Sequence, residues 1–140
     1  MKKIEHIGIA VKNLEKSIPL FEKILGTKCY KIEVVEKQNV KTAFFQIGET
    51  KIELLEATSQ ESPIAKFIQK KGEGIHHIAF LVEDIERKIK ELESLGFQII
   101  DKVPHLGAEG FLISFLRPSS TNNVLIEICS KNNQTNKEEE

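Results

Sequence analysis

Hydrophobic and polar residues alternate along this chain in a pattern that occurs twice. Residues 6–13, HIGIAVKN, can be aligned with residues 77–84, HIAFLVED, and both stretches alternate with a period of two. Such alternation is typical of a β-strand with one buried face. Each stretch ends in a residue, Asn13 or Asp84, that commonly caps the first turn of a helix. The chain is therefore predicted to contain an internal repeat that divides it near residue 70.

A helical period begins after each of these capping residues. In the first repeat, the apolar stripe of the predicted helix consists of Leu14, Ile18, Phe21 and Leu25. In the second repeat, the matching stripe consists of Ile85, Ile89, Leu92 and Leu95. Gly26 and Gly96 follow the two stripes, and glycine is the residue that most often ends a helix. We therefore predict one amphipathic helix in each repeat.

Three extended segments are expected after each helix, because residues with a high β-propensity are concentrated there. They lie at 28–35, 40–47 and 51–56 in the first repeat and at 97–103, 111–117 and 124–129 in the second. Between the repeats, Ser62 is a helix cap and Pro63 a favourable first helical residue, which predicts a linking helix at about 62–72. Each repeat thus reads β-α-β-β-β.

This order of elements predicts an α+β fold made of two tandem βαβββ modules with a concave sheet. We expect a single domain over residues 1–130, with module 1 at about 1–58 and module 2 at about 74–130. Residues 131–140 contain no apolar residue that could anchor them, so a disordered tail is expected there.

Composition and charge narrow the range of partners. With 40% hydrophobic and 29% charged residues, the chain is expected to fold as one soluble unit. Its net charge is −1 and no basic block is present, so nothing favours a nucleic-acid partner. No apolar run is long enough for a signal peptide or a membrane span, which predicts a cytoplasmic location without a membrane partner. Cys29 and Cys129 could form a bridge, but a reduced, structural pair is expected in that compartment.

The repeat places chemically interesting residues at equivalent positions. His6 and His77 open the two matching first strands, and Glu53 and Glu127 occupy matching positions in otherwise apolar last strands. With a period of two, each of these side chains points away from its aliphatic neighbours. The four side chains are therefore expected to converge on the concave side of the sheet. Two imidazoles and two carboxylates would hold one divalent metal ion and leave an octahedral ion two open sites.

A structural role is the alternative for each of these residues. A lone strand histidine is more often a surface or satisfied core residue than a ligand, and a strand glutamate more often faces solvent. Four suitable residues at repeat-equivalent positions favour the metal site. His76 is expected to point to the face opposite His77 and to be structural, whereas His105 lies in a loop where a role at the rim of the site and plain exposure are both open.

Several linked motifs carry a resemblance to a known family. They are HIGIAVKNLEKS near the start, TKIELLEA, SPIAKFIQKKGEGIHHIAFLVEDI, HLGAEG and NVLIEI. Up to about residue 130 the chain resembles the vicinal oxygen chelate superfamily, and residues 62–84 and the loop before the last strands resemble its methylmalonyl-CoA epimerase branch. The resemblance implies that the metal ligands are His6, Glu53, His77 and Glu127. It also implies one divalent ion per chain, with Co²⁺ favoured and Mn²⁺, Ni²⁺ or Zn²⁺ as alternatives.

The implied reaction is inversion at C2 of methylmalonyl-CoA through a metal-stabilised enolate, with Glu127 as an acid/base group. A second family glutamate does not carry over, because Thr42 stands at its aligned position and cannot act as a base. Glu36, Gln46, a metal-bound water or a one-base route through Glu127 remain open. A homodimer is also implied, whereas the residues that bind the substrate are not predicted.

Other functions of the same fold compete with this interpretation. A glutathione-linked lyase of the glyoxalase I type would use the same metal geometry and proton chemistry, so the ligand set does not discriminate against it. A non-catalytic small-molecule-binding protein could use the same concave surface without a metal. A ring-cleaving oxygenase is disfavoured, because a fourth protein ligand would occupy a site that oxygen needs.

Overall fold

The computed structural model describes residues 1–132. Over this part of the chain, the strands are β1 (Lys3–Ala10), β2 (Lys31–Val35), β3 (Val40–Ile47), β4 (Thr50–Ala57), β5 (Gly74–Leu81), β6 (His105–Leu106), β7 (Phe111–Leu116) and β8 (Ile126–Lys131). The α-helices are α1 (Leu14–Leu25), α2 (Pro63–Lys71) and α3 (Ile85–Ser94). Of the tail predicted at 131–140, Lys131 ends β8, and residues 133–140 lie outside the described residues.

The chain forms two compact units. The N-terminal unit is Glu5–His77, and the C-terminal unit comprises Met1–Ile4 and, within the described residues, the chain from Ile78 to residue 132. In the N-terminal unit the strand order is β2-β3-β4-β1, with β1 parallel to β4 and the other neighbours antiparallel. The C-terminal unit repeats this arrangement as β6-β7-β8-β5, with β5 parallel to β8. The tandem βαβββ pattern that the sequence predicts is therefore confirmed.

Local capping explains where the two long helices begin. The Asn13 side chain accepts a hydrogen bond from the Lys16 N–H at 3.2 Å, and the Asp84 side chain accepts one from the Arg87 N–H at 3.1 Å. Gly26 ends α1 in the left-handed conformation, at φ 67°, which a residue without a Cβ adopts at little cost. The predicted starts of α1 and α3 are confirmed by these contacts.

The two faces of the N-terminal sheet have different partners. Ile9 and Val11 pack beneath α1 in a core that also contains Leu14, Ala43, Phe45 and Leu54. Ala10 points the other way and packs with Val40, Leu55 and Ile64, where α2 covers one end of the sheet. His6 and Gly8 share the parity of Ala10 along β1. We call this side, defined by His6, Gly8 and Ala10, the histidine face.

One predicted strand is wrong. Residues 97–103 form no continuous strand, and only an isolated bridge joins Ile99 to Leu116 on β7. Beyond this bridge, the Ser114 hydroxyl donates a 2.7 Å hydrogen bond to the Asp101 carbonyl in place of a backbone ladder bond. Pro104 has no N–H to continue the ladder. The outer strand of this unit is therefore reduced to β6, at His105–Leu106.

Candidate metal centre

Two buried histidines meet in the N-terminal unit. His6 lies on β1 and His77 on β5, with relative exposures of 8% and 6%. Their Nε2 atoms are 3.0 Å apart, and the two rings stand edge to face at 88°. Gly8 makes this approach possible, because a Cβ at that position would collide with the ring of His77. The absence of a side chain at Gly8 therefore leaves room on the histidine face for the His77 imidazole.

Both imidazoles of the His76-His77 pair are held in the neutral form. Burial, followed by the positive charges of His6 and His76 in their protonated forms, keeps the pKa of His77 well below its ordinary value of 6.5. Burial, followed by the charge of Lys71, lowers the pKa of His76 to about 4. A neutral imidazole has a lone pair to offer, and it is the form that binds metal ions.

Two carboxylates approach the other side of His6. Glu53, on β4, places Oε2 3.0 Å from His6 Nδ1, and Glu5 places Oε1 3.2 Å from the same nitrogen. Lys51 Nζ lies 3.1 Å from that Glu5 oxygen. Burial raises the pKa of Glu5, but hydrogen bonds and charge from His6 and Lys51 outweigh this and hold it below its ordinary value. Sequence reasoning missed Glu5, although it is a charged residue directly before a candidate ligand.

The fourth candidate belongs to the C-terminal unit. Glu127 lies on β8, where its register partners are Ala79 on β5 and Phe115 on β7. It is only 4% exposed and stands between Ile126 and Ile128 along the strand. A carboxylate is rarely buried in such apolar surroundings unless it has a charged partner or a ligand. Its burial therefore marks it as a functional candidate.

The two remaining histidines are His76, whose predicted direction is wrong, and His105. The expectation that His76 points away from His77 is wrong, because their Nδ1 atoms lie 2.9 Å apart. The ring of Phe67 on α2 also packs edge-on against His76, with ring centroids 5.0 Å apart. His105 is exposed, and its Nδ1 lies 3.8 Å from Asp101 Oδ2.

The candidates for a second acid/base group occupy different environments. Thr42 is 2% exposed on β3, and its register partner on β2 is Glu33. Glu36 is exposed in a short 3-10 turn after β2, and Gln46 is exposed and donates from Nε2 to the Gly48 carbonyl at 2.8 Å. Glu33, which sequence reasoning did not consider, is thus the carboxylate whose backbone lies directly beside Thr42.

The donor set fits a divalent metal ion. Two imidazole nitrogens bound at about 2.1 Å and at a right angle on one ion stand about 3.0 Å apart, and the Nε2 atoms of His6 and His77 have this separation of 3.0 Å. One ligand atom from each of Glu5, His6 and Glu53 also lies within 4.8 Å of the others. Nitrogen and oxygen donors of this kind suit Co²⁺, Mn²⁺, Ni²⁺ or Zn²⁺.

The contact between Gly8 and His77 gives a first prediction. Gly8→Ala is expected to displace the His77 ring, costing about 1–3 kcal/mol of stability through overpacking and weakening Co²⁺ or Zn²⁺ binding by at least about tenfold. Isothermal titration calorimetry and thermal unfolding measure the two effects. Gly107→Ala is the matched control, because the three atoms nearest to a Cβ there all belong to the Ile113 side chain. It should lose stability and keep the metal affinity; equal metal affinity in both variants would contradict the prediction.

Comparison with known proteins places this geometry in a family. Residues 5–115 match the profile of the Glyoxalase/Bleomycin resistance protein/Dioxygenase superfamily. The chain belongs to this superfamily, and its paired βαβββ units are the vicinal oxygen chelate fold that the sequence predicts. None of the helices within residues 1–132 is long and apolar enough to span a bilayer.

Relatives narrow the family further. The chain is 38% identical over 130 residues to the mitochondrial methylmalonyl-CoA epimerase of Dictyostelium discoideum, covering 92% of this chain and 78% of the relative. A variant of the Streptomyces coelicolor methylmalonyl-CoA epimerase in complex with 2-nitronate-propionyl-CoA superposes with a TM-score of 0.90 at 31% identity, over 94% of this chain and 95% of that one. A hypothetical protein from Bacillus halodurans C-125 gives a TM-score of 0.90 at 50% identity, over 93% and 94% of the two chains. Within the superfamily, the chain belongs with the methylmalonyl-CoA epimerases, which are isomerases.

Proposed function

We propose that the protein is a metal-dependent epimerase that interconverts the C2 epimers of methylmalonyl-CoA through an enolate. The observation that carries the proposal is the 3.0 Å approach of two buried imidazole nitrogens, His6 Nε2 and His77 Nε2, in a chain whose relatives include methylmalonyl-CoA epimerases. An apolar binding pocket alone does not require two histidines at this spacing.

The substrate determines what the site must do. The hydrogen at C2 lies between a carboxylate and a thioester carbonyl, so its removal leaves an enolate whose negative charge is spread over oxygen. We propose His6, His77, Glu53 and Glu127 as the residues that hold the divalent ion, with Co²⁺ favoured. When bound, the ion would supply Lewis-acid stabilisation of the developing charge.

Glu127 is the residue that we propose to move the proton. It is a carboxylate on an apolar strand, and at 4% exposure it is largely shielded from bulk water. Inversion also requires a proton on the opposite face of the enolate. Glu33, beside Thr42, and Glu36 are the carboxylates near the position of the missing family glutamate. Loss of inversion in Glu33→Gln or in Glu36→Gln would identify the second group, whereas full activity in both variants would favour a one-base route.

The surface and the cysteines support proposals about the assembly and the compartment. We propose a homodimer, because β2 ends the strand order of the N-terminal unit, and Ile32 and Val34 on this strand, with Tyr30 just before it, are about half exposed. We propose a cytoplasmic location, in keeping with Cys29 and Cys129 being reduced cysteines rather than a disulfide pair. We also propose that residues 1–130 form a single domain.

An activity comparison tests the function against its nearest rival. The purified protein, loaded with Co²⁺, is given either a single C2 epimer of methylmalonyl-CoA or the hemithioacetal of methylglyoxal and glutathione. We expect inversion of the first, lost on treatment with a chelator and restored by Co²⁺, and no turnover of the second. Turnover of the hemithioacetal alone would identify a glutathione-linked lyase. Tight binding of methylmalonyl-CoA without any divalent ion or turnover would identify a binding protein.

A further inference from the structure

The register of the C-terminal unit shows which residues share a face of the sheet with Glu127. Glu127 on β8 lies opposite Phe115 on β7. Ile113, two residues before Phe115 on the same strand, lies opposite His105 on β6. Directly opposite residues of antiparallel strands project to the same side of a sheet, and so do residues two apart along a strand. We call this side, defined by Glu127, Phe115, Ile113 and His105, the Glu127 face.

The surface between Glu127 and His105 on this face is apolar. Ile113 and Phe115 belong to one hydrophobic cluster together with Cys129, which is 1% exposed. His105, in contrast, is an exposed residue at the outer edge of the sheet. A ligand that reaches from Glu127 to His105 therefore meets apolar side chains first and a polar imidazole at the end, which suits a short run of methylene groups that ends in a polar group.

A bulge in the outer edge of the sheet positions His105. The outer segment pairs with β7 at Ile99 and again from His105 onward, and it is longer than β7 between these two points, so it bulges away from the ladder. Residues four apart in a straight strand are about 13 Å apart, so the bulge is what brings Asp101 Oδ2 to 3.8 Å from His105 Nδ1. The buried Ser114 holds the bulge through its hydrogen bond to the Asp101 carbonyl. Because Asp101 faces Nδ1, a ligand would meet Nε2, on the other side of the ring.

The distance from Glu127 to His105 fits one part of an acyl-CoA thioester. Two strands and two residues separate them, which corresponds to about 12 Å between Cα atoms in an ordinary sheet. A group that moves the C2 proton lies about 3 Å from that carbon. In an extended thioester, the oxygen of the first pantetheine amide lies about 8 Å from C2, and a hydrogen bond adds about 3 Å. The thioester carbonyl is too close to C2 to reach His105, and the second amide lies too far away.

We propose that His105 is a substrate-binding residue, and that its Nε2–H donates a hydrogen bond to the carbonyl oxygen of the first pantetheine amide. The sulfur and the two methylenes that precede this amide then lie over Phe115 and Ile113. This proposal rests on the epimerase function proposed above and deepens it, because it assigns a residue that recognises the CoA part of the thioester. His105 has no part in the proton transfer, so its contribution is to substrate affinity.

Two short thioesters isolate this hydrogen bond. The methylmalonyl thioester of N-acetylcysteamine ends just after the first amide, and the methylmalonyl thioester of 1-pentanethiol has the same chain length without the amide. The values of kcat and KM for inversion of each are measured with the metal-loaded wild-type protein and with His105→Ala. We expect the wild-type preference for the amide thioester to fall about three- to tenfold in His105→Ala, through KM and not through kcat. The KM for methylmalonyl-CoA should rise by the same factor.

Matched variants test whether the hydrogen bond is the cause. His105→Gln keeps an N–H donor and should retain most of the preference, and Lys102→Ala, which removes an exposed charge from the same bulge, should retain all of it.

Three results would overturn the proposal. They are an unchanged preference in His105→Ala, equal losses in His105→Ala and His105→Gln, and, if the wild type inverts only methylmalonyl-CoA, an unchanged KM for that substrate in His105→Ala. A metal-loaded wild-type protein that inverts none of the three methylmalonyl thioesters would instead refute the proposed epimerase function.

Discussion

Glu127→Gln is expected to lower kcat for C2 inversion of methylmalonyl-CoA by at least about 100-fold, because an amide cannot take up or return the proton. The substitution preserves the shape of a side chain that is 4% exposed on β8, so the thermal unfolding temperature should change little. A stereospecific coupled assay measures the rate. Glu83→Gln is the matched control, because Glu83 is an exposed carboxylate in the same unit.

The outcome also tests how Glu127 acts. If the variant binds methylmalonyl-CoA normally and retains the wild-type kcat, Glu127 is not the proton carrier and the proposed mechanism is wrong. If the variant loses inversion and also loses the metal, its role as a ligand accounts for the loss, and the amount of metal bound per chain distinguishes the two results.

His77→Ala is expected to weaken the binding of Co²⁺ or Zn²⁺ by more than about 100-fold, because it removes a ligand rather than an orienting partner. His77 is the residue whose ring contacts both His6 and His76, so its loss also removes both of these contacts. Metal content after dialysis and calorimetric titration measure the effect. His105→Ala removes an exposed imidazole and should leave metal binding unchanged. Full metal occupancy in His77→Ala would contradict the proposed ligand set.

Much of the fold could be predicted because the internal repeat appears in the sequence as a repeated pattern of hydrophobic residues. The alternation of residues 6–13 placed Ile9 and Val11 beneath α1 and His6 on the other face, as the structure confirms. Such patterns depend on burial of one face and therefore appear directly in the sequence. Residues 97–103 had the composition of a strand, but they make backbone hydrogen bonds to β7 only around the Ile99 bridge, because a continuous ladder depends on the partner strand and not on propensity alone.

Of the site, the sequence predicted only the features that follow from the alternation of side chains along a strand. Alternation predicted that the side chains of His6 and Glu53 point to the same side of the sheet, and in the structure these two side chains are in contact. The same rule gave the wrong direction for His76, because the contacts with Phe67 and His77 override simple alternation at the start of β5. Glu5 was missed because strand alternation directs it away from His6, whereas in the structure Glu5 Oε1 lies 3.2 Å from His6 Nδ1 and 3.1 Å from Lys51 Nζ.

Deuterium exchange at C2 tests the central claim most directly. A single C2 epimer of methylmalonyl-CoA is incubated in D₂O with the metal-loaded protein, and both deuterium at C2 and the stereochemistry are followed. We predict that inversion and deuterium uptake occur together and that a chelator abolishes both. If neither exceeds the spontaneous rate with Co²⁺, Mn²⁺, Ni²⁺ or Zn²⁺, the protein is not an epimerase of methylmalonyl-CoA.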